Sequence, residues 1–245
     1  MTTPAQPVVR DARRVLVVTA HPDDVDFGAA ATVASWTKAG VEVAYCLCTS
    51  GDAGGYDDTP REKMRELRER EQRAAASAVG VSDVTFLGYP DGRLTASIEL
   101  RRDISRQIRR FRPDRVLTQS PEMLWQRIVA SHPDHRAVGE ATVAAVYPDA
   151  RNPFAHPELL AEEGLAAWSV PELWLMAAPP ERINHVVDVT DTFETKLAAL
   201  RAHESQTAHM DELEDMLRGW MGRVASNAGL PAPRLAEAFQ VVDTA

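Results

Sequence analysis

Residues 14–20 of the chain read RVLVVTA, and residues 21–28, which follow directly, read HPDDVDFG. The first stretch is a short, continuous apolar run rich in β-branched residues, which is typical of a strand buried on both faces. A dinucleotide-binding protein would place the glycine pattern G-x-G-x-x-G after such a strand. This chain instead carries one histidine and three aspartates there. Because carboxylates repel phosphate and attract divalent cations, the sequence predicts a metal site at the end of the first strand.

The rest of the chain alternates strand and helix patterns. Strands are predicted over residues 14–20, 41–48, 84–87, 115–118, 172–176 and 185–189, and helices over residues 27–38, 60–80, 98–111 and 135–146. Alternation at this rhythm is typical of βαβ units with right-handed crossovers. We therefore predict an α/β fold with a Rossmann-like, mostly parallel sheet and helices on both faces, for which 3-2-1-4 is the common strand order.

The length of 245 residues suits one domain with its own core. We assign residues 1–245 to a single domain, with residues 1–13 as an N-terminal tail and residues 207–245 as a C-terminal helical extension. The extension carries an apolar stripe at helical spacing: Met210, Leu213, Met216, Leu217, Trp220, Met221 and Val224. Such a stripe is suited to core packing or to a contact between subunits, so a homo-oligomer is one expected arrangement.

Composition and charge argue against several classes of protein. The 27 Lys and Arg against 36 Asp and Glu give a net charge of −9, so the basic footprint of a nucleic-acid-binding protein is absent. The first apolar run is far shorter than the ~20 residues that span a bilayer, and it lacks a secretory cleavage pattern. Cys46 and Cys48 share one face of a predicted strand and are expected to be reduced core residues. We therefore expect a cytoplasmic protein without membrane insertion.

A second His-Pro-Asp stretch, SHPDHR, occupies residues 131–136, beyond the fourth strand. With the order 3-2-1-4, strands one and four are neighbours, and the two motifs meet at their carboxyl ends, where ligands bind in such folds. His21, His135 and Asp24 then offer two imidazoles and a carboxylate, a ligand set that leaves one position of a catalytic metal open. Zinc is the first choice, because it lowers the pKa of bound water to about 7. Fe²⁺ also accepts these ligands.

Three neighbouring residues are candidates for catalysis. Asp23 is adjacent to a predicted ligand and is expected to point elsewhere, which suits a general base that deprotonates the metal-bound water. His132, three residues before His135, is suited to stabilise an oxyanion or to protonate the leaving amine. Asp134 is suited to hold an imidazole in its useful tautomer. For either motif alone the alternative is a helix N-cap, since Asp caps helices and Pro opens them.

Together these motifs resemble those of the LmbE-like, or PIG-L, family of zinc-dependent de-N-acetylases. The family signatures A-H-P-D-D and H-P-D-H stand at residues 20–24 and 132–135. Further segments that look like the family are TSGDAGG at 49–55, GYPDG at 88–92 and HESQ at 203–206. One departure is visible: many members carry Glu directly after the first signature, where this chain has Val25 followed by Asp26.

The resemblance implies a site and a reaction. It implies that His21, Asp24 and His135 bind zinc. It also implies that Asp23 is the base and that His132 assists the tetrahedral intermediate. The usual family substrates are N-acetylglucosamine units linked to inositol, malate, a lipid carrier or an antibiotic aglycone, and the reaction releases acetate and a free amine.

Substrate recognition is less sharply predicted. By similarity, Arg68 and Asp91 contact sugar hydroxyls; the alternative for Arg68 is a solvated helix face with i,i+4 ion pairs. Substrate choice is expected to lie in the loops after strands two and three and in the stretch 147–171, acting as a rim or lid.

We therefore predict a metal-dependent hydrolase that removes the N-acetyl group of a small amino-sugar substrate. The alternatives within the family are an amidase of mycothiol-type conjugates and an N-glycosidase. Alternatives of other classes are a non-catalytic sugar-binding module and an oxygen-using iron enzyme. Released acetate distinguishes deacetylation from cleavage of another bond.

Overall fold

The computed structural model describes residues 9–56 and 58–245, so most of the predicted N-terminal tail lies outside the described residues. The described chain forms a seven-stranded sheet in the order β3-β2-β1-β4-β5-β7-β6. The strands are Arg14–Thr19 (β1), Glu42–Thr49 (β2), Asp83–Tyr89 (β3), Arg115–Gln119 (β4), Glu172–Met176 (β5), His185–Asp188 (β6) and Ala236–Asp243 (β7). Strands β1 to β5 pair in parallel, and β7 pairs antiparallel with β5 and β6. The predicted α/β fold and the order 3-2-1-4 are confirmed.

The helices connect the strands across both faces of the sheet. They are Asp24–Gly28 (α1), Ala30–Lys38 (α2), Arg61–Ala78 (α3), Ile98–Phe111 (α4), Pro133–Ala144 (α5), Pro157–Ala161 (α6), Phe193–Arg201 (α7), Glu204–Thr207 (α8) and Leu213–Asn227 (α9). The helix predicted over residues 27–38 is two helices, because Ala29 adopts φ −151° and breaks the helical path. Within residues 9–56 and 58–245, every helix falls short of the length and apolarity that crossing a membrane requires.

The alternation of β1 residues builds two apolar layers. Val15 and Val17 pack with α2 and α3 on one face of the sheet, whereas Leu16 and Val18 pack with α4 and α5 on the other. All four side chains are at most 1% exposed. This burial on both faces explains why the first strand reads as a continuous apolar run rather than an alternating one. Both cysteines are buried and free, as predicted.

The C-terminal region departs from the predicted helical extension. The apolar stripe does form a helix, and α9 packs three of its residues (Leu213, Leu217 and Met221) against α7. Residues 236–243, however, form strand β7, which lies between β5 and β6. The prediction is wrong there, because antiparallel pairing on both sides of the segment outweighs any local helical preference.

The stretch 147–171 lies away from the carboxyl ends of the strands. It connects α5 to the first residue of β5, and parallel β4 and β5 begin at the same edge of the sheet. Trp168 Nε1 donates to the carbonyl of Pro113, just before β4, at 2.8 Å. Helix α5 starts at the carboxyl ends of the strands and runs back along the sheet, so the residues after it lie at the opposite edge. The predicted rim or lid is therefore wrong for this stretch.

Candidate active site and metal centre

The first motif forms the turn between β1 and α1. His21 follows the end of β1, and its backbone N–H donates to Asp24 Oδ2 at 2.6 Å. The second motif begins α5, which starts at Pro133 directly after His132. Because β1 and β4 are neighbours in the sheet, the carboxyl ends of both strands bring the two motifs together. The two His-Pro-Asp stretches therefore lie side by side, as predicted.

Ligand atoms of the three predicted metal ligands converge. His21 Nδ1 lies 3.2 Å from His135 Nε2 and 3.5 Å from Asp24 Oδ2. Asp24 Oδ1 lies 2.9 Å from His135 Nε2. Two atoms that bind one zinc ion at ~2.0–2.1 Å with tetrahedral angles lie about 3.3 Å apart. The three side chains therefore fit a single divalent ion.

The other ring nitrogen of His21 faces two further carboxylates. His21 Nε2 lies 3.0 Å from Asp91 Oδ1 and 3.2 Å from Asp134 Oδ2. Backbone groups hold both acids, since Gly92 N donates to Asp134 Oδ2 at 2.7 Å and Ala53 N donates to Asp91 Oδ2 at 2.9 Å. Carboxylates that accept the Nε2 proton leave the Nδ1 lone pair free for a cation, a common arrangement of metal-binding histidines.

His21 thus belongs to more than one group of possible metal ligands. Its ligand atoms lie within 4.8 Å of those of Asp91 and Asp134, and also of those of His132 and His135. The backbone N–H groups already bonded to Asp91 and Asp134 suit these two acids to orienting the ring. In the predicted group of His21, Asp24 and His135, by contrast, the ring nitrogens of both histidines are directed toward Asp24, and its role as the metal site stays a prediction.

The acids make the surroundings of His21 strongly negative. Burial lowers the pKa of His21, but Asp24, Asp134 and Asp91 outweigh burial and raise it to about 12. Burial raises the pKa of Asp24, but His135 and His21 outweigh burial and hold it well below its ordinary range. The same three carboxylates favour positive charge at this position. A divalent cation would supply that charge.

Asp23 lies beside the ligands and turns to a different partner, as predicted for adjacent side chains. Its φ of 83° places it in the left-handed region, which is uncommon for residues other than glycine. Arg68 Nη2 donates to Asp23 Oδ2 at 3.0 Å and to the carbonyl of Pro22 at 2.7 Å. Burial raises the pKa of Asp23 to about 6, against the lowering effect of Arg68. A carboxylate with such a pKa is suited to accept and return a proton near neutral pH.

Arg68 and Asp91, the two predicted sugar-binding residues, are both bonded within the site. Arg68 is 4% exposed, and its Nη1 donates to the carbonyl of Gly51 at 3.0 Å. The alternative of a solvated helix face is therefore wrong for Arg68. Asp91 is 8% exposed and faces His21. Their contacts with sugar hydroxyls stay predictions.

His132 has a defined tautomer. Its Nδ1 accepts a hydrogen bond from Asp134 N at 3.2 Å and so caps the start of α5. In the neutral ring the proton therefore sits on Nε2. Burial, together with the nearby His21 and His135, lowers the pKa of His132. The ring lies among the ligands, with its centroid 5.2 Å from that of His21 and 5.4 Å from that of His135.

Gln72 and His203 are buried near the site and were not among the predicted site residues. Gln72 Oε1 accepts from Asp23 N at 2.9 Å. Gln72 lies four residues after Arg68 on α3, so the helical spacing alone places both on one face and could have indicated it. His203 is bonded to Asp26 at 2.9 Å. These two residues are separated by 177 positions, and the sequence carries no signal that pairs them.

Comparison with known proteins identifies the family. The family model described as GlcNAc-PI de-N-acetylase (PIG-L) matches residues 16–146, more than half of the chain. The chain belongs to the PIG-L family. The match spans both signatures and the predicted metal ligands, so the family resemblance of the motifs is confirmed.

Three similar proteins are named as deacetylases. The chain is 32% identical over 197 residues to diacetylchitobiose deacetylase of Thermococcus kodakarensis, covering 80% of this chain and 71% of that protein. It is 33% identical over 211 residues to a probable N-acetyl-α-D-glucosaminyl L-malate deacetylase 2 of Bacillus cereus, covering 83% and 87%. The solved N,N'-diacetylchitobiose deacetylase of Pyrococcus horikoshii superposes with a TM-score of 0.86 at 30% identity, covering 96% and 85%.

Proposed function

We propose that this protein is a metal-dependent N-deacetylase of an N-acetylglucosamine-type sugar or sugar conjugate. The observation that carries the proposal is the convergence of His21, Asp24 and His135 beside Asp23. The named activities of the relatives support the reaction, since they are deacetylases of chitobiose and of a glucosaminyl malate. The substrate class is therefore a small N-acetylated amino sugar.

A divalent cation would be held by His21 Nδ1, His135 Nε2 and the Asp24 carboxylate. When bound, it supplies Lewis acidity, which polarises a carbonyl oxygen and lowers the pKa of water. The mixture of two imidazoles with a carboxylate suits Zn²⁺ first and Fe²⁺ second. Asp91 and Asp134 would hold the His21 ring in the orientation that presents Nδ1.

Asp23 would move the proton of the attacking water. Its Oδ2 is fixed by Arg68, which leaves its other oxygen as the acceptor. The Asp23 side chain is 17% exposed, so water can reach it, whereas the Arg68 side chain is only 5% exposed. The same carboxyl group could then return the proton to the departing nitrogen.

His132 would donate a hydrogen bond to the oxygen of the acetyl group. Its Nδ1 is occupied by the backbone N–H of Asp134, so Nε2 carries the available proton. A neutral donor placed before the reaction starts stabilises the negative charge that develops on that oxygen. Asp134 therefore serves both histidines, through its backbone N–H for His132 and through its carboxylate for His21.

The loops after β2 and β4 carry exposed aromatic side chains at the edge of the sheet where the site lies. Tyr56 is 74% exposed and Trp125 is 78% exposed. A sugar ring that projects beyond the acetyl group would meet such side chains first. We therefore propose that the loop after β4 shares substrate choice with the predicted loops after β2 and β3, the latter of which carries Asp91.

The test is direct product analysis. Metal-loaded protein is incubated with N-acetylglucosamine, N,N'-diacetylchitobiose, an N-acetylglucosaminyl malate and an N-acetylglucosaminyl inositol, and acetate and free amine are quantified by mass spectrometry. We expect equal amounts of both products from at least one substrate and none from protein treated with a chelator. A free sugar without acetate would replace the proposal with glycosidic cleavage. Binding without any product would replace it with a sugar-binding module.

A further inference from the structure

The segment HESQ at residues 203–206 has no part in the chemistry described above, yet it is anchored beneath the site. It is bonded to one side chain of α1 and one side chain of α3. His203 Nε2 lies 2.9 Å from Asp26 Oδ2. Ser205 donates from its backbone N to Glu71 Oε1 at 2.8 Å and from its Oγ to Glu71 Oε2 at 2.7 Å.

The pair formed by His203 and Asp26 is completely buried, with both side chains 0% exposed. A carboxylate only accepts hydrogen bonds, so His203 must carry its proton on Nε2. Burial opposes a proton on this ring, but the hydrogen bond to Asp26 outweighs burial and raises the pKa of His203. The hydrogen bond thereby holds the side chain of Asp26, which lies in the middle of α1, two residues after the predicted ligand Asp24.

Gln72 connects this buried pair to Asp23. Its Nε2 donates to the same Asp26 Oδ2 at 2.8 Å, and its Oε1 accepts from Asp23 N at 2.9 Å. The side-chain amide has donors on one side and an acceptor on the other. Because Asp26 can only accept, the amide of Gln72 must turn its NH₂ group toward Asp26, and its oxygen then faces Asp23.

Asp23 has a backbone conformation that needs such support. Its φ of 83° lies in the left-handed region, which only a few per cent of residues other than glycine adopt. The N–H of Asp23 is the group that Gln72 bonds. A different backbone angle would turn this N–H away and carry the carboxylate away from the crevice.

We propose that His203, Asp26 and Gln72 form a positioning set that holds Asp23 in its left-handed conformation and so places its carboxylate for proton transfer. The proton-transfer role of Asp23 rests on the proposed function. The geometry of the set stands independently of any substrate. His203 touches neither the substrate crevice nor the ligand atoms, so it acts through Asp26 and Gln72.

The test compares three variants of the metal-loaded, full-length protein. His203→Met keeps the approximate volume and removes the donor, and His203→Gln keeps a donor close to the position of Nε2. Ser205→Ala is the matched control, because it removes a side-chain hydrogen bond of the same segment without touching Asp26. Bound metal, melting temperature, kcat and KM for the preferred acetylated sugar are measured for each.

We expect kcat of His203→Met to fall about 10- to 100-fold, as for other groups that orient catalytic residues, with KM and bound metal within about twofold of the parent. We expect His203→Gln to recover most of the lost kcat. Ser205→Ala should lower the melting temperature and leave kcat unchanged. If His203→Met does not fold, Gln72→Met removes the same link and carries the same expectation.

A crystal structure of His203→Met, compared with the parent, gives a readout that does not depend on activity. We expect Asp23 to leave the left-handed region or to lose its bond with Gln72. An unmoved Asp23 overturns the proposal, as does an equal loss of kcat in His203→Met and Ser205→Ala. If the parent protein releases no acetate, the proposed function fails, and the conformation of Asp23 still decides whether the set positions it.

Discussion

Asp134 Oδ2 lies 3.2 Å from His21 Nε2, although 113 residues separate the two positions. The second His-Pro-Asp motif therefore contributes more than the predicted ligand His135, since its Asp134 also contacts the predicted ligand of the first motif. His135 faces Nδ1 of the same ring and Asp134 faces Nε2. The two motifs form one unit, and a change in either is expected to affect the metal.

The first prediction separates the two groups of possible ligands around His21. We expect His135→Ala to abolish stoichiometric Zn²⁺ binding, because it removes an atom that faces both Asp24 and His21. Asp91→Asn should still bind one ion, with affinity weakened about 10- to 100-fold by the loss of an orienting acid. Dialysis against zinc followed by metal analysis and titration calorimetry measures both. Metal loss in Asp91→Asn with retention in His135→Ala would reverse the assignment.

The second prediction concerns the proton acceptor. Asp23→Asn should lower kcat about 100- to 10,000-fold while leaving bound zinc unchanged. Asparagine tolerates the left-handed conformation of this position, and its side-chain oxygen can still accept from Arg68. Steady-state kinetics and metal analysis of the same preparation are the measurements. A near-parental kcat would remove Asp23 from the mechanism.

The third prediction uses two glycines in helix interiors. A Cβ on Gly139 of α5 would lie 2.4 Å from the carbonyl oxygen of Gln119 and 2.8 Å from Pro121 N. Gly139→Ala should therefore destabilise the fold by about 1–3 kcal/mol and weaken metal binding, because α5 carries His135. At Gly222 of α9 the nearest atom would be 4.0 Å away, so Gly222→Ala should stabilise by up to about 1 kcal/mol. Denaturant unfolding of both variants checks the contrast, and equal effects would contradict it.

The fourth prediction concerns a buried ion pair between α7 and β7. Lys196 Nζ lies 2.7 Å from Glu237 Oε1, and the Lys196 side chain is 0% exposed. Lys196→Met leaves the buried acid without its partner and should cost about 3–5 kcal/mol of unfolding free energy. Arg218→Met breaks exposed pairs with Glu194 and Glu214 instead and should cost at most about 1 kcal/mol. Urea titrations of the two variants measure the difference, and similar costs would show that burial of the charge is unimportant.

The fifth prediction is a pH dependence. Burial opposes ionisation of Asp103, but hydrogen bonds from Tyr89, Arg102 and Arg106 outweigh burial and lower its pKa below the ordinary value of 3.8. Ionised Asp103 therefore stabilises the fold above pH 3.8, and this contribution is lost as pH falls through the lowered pKa. Asp103→Asn should be less stable than the parent at pH 6, and the gap should narrow below pH 3.8. A gap that widens in acid would contradict the sign.

Much of this site could be predicted because its residues follow strands. His21 and Asp24 come directly after a strand that reads as buried on both faces, and the strand order then places the second motif beside them. These inferences need only strand periodicity and the rule that parallel strands end at one edge of a sheet. The convergence of His21, Asp24 and His135 could therefore be predicted from the sequence alone.

Contacts that depend on packing could not be predicted in this way. The hydrogen bond between His203 and Asp26 joins segments 177 residues apart. No hydrophobic periodicity around either residue indicates that the two side chains meet. Strand β7 was missed for a related reason, since its identity comes from the strands on both sides. For Arg68 the run of charged residues left a solvated helix face open as an alternative, whereas in the structure Arg68 is buried and donates to the carbonyls of Pro22 after β1 and Gly51 after β2.

The position of β7 also constrains the order in which the molecule can assemble. β7 pairs with β5 on one side and with β6 on the other. Strand β6 therefore joins the sheet only through β7, which is synthesised about fifty residues later. A nascent chain can form the five parallel strands first. The outer edge of β5 then stays unpaired until residues 236–243 emerge. Chaperone dependence during translation should therefore concentrate on that interval, when an unpaired strand margin is exposed.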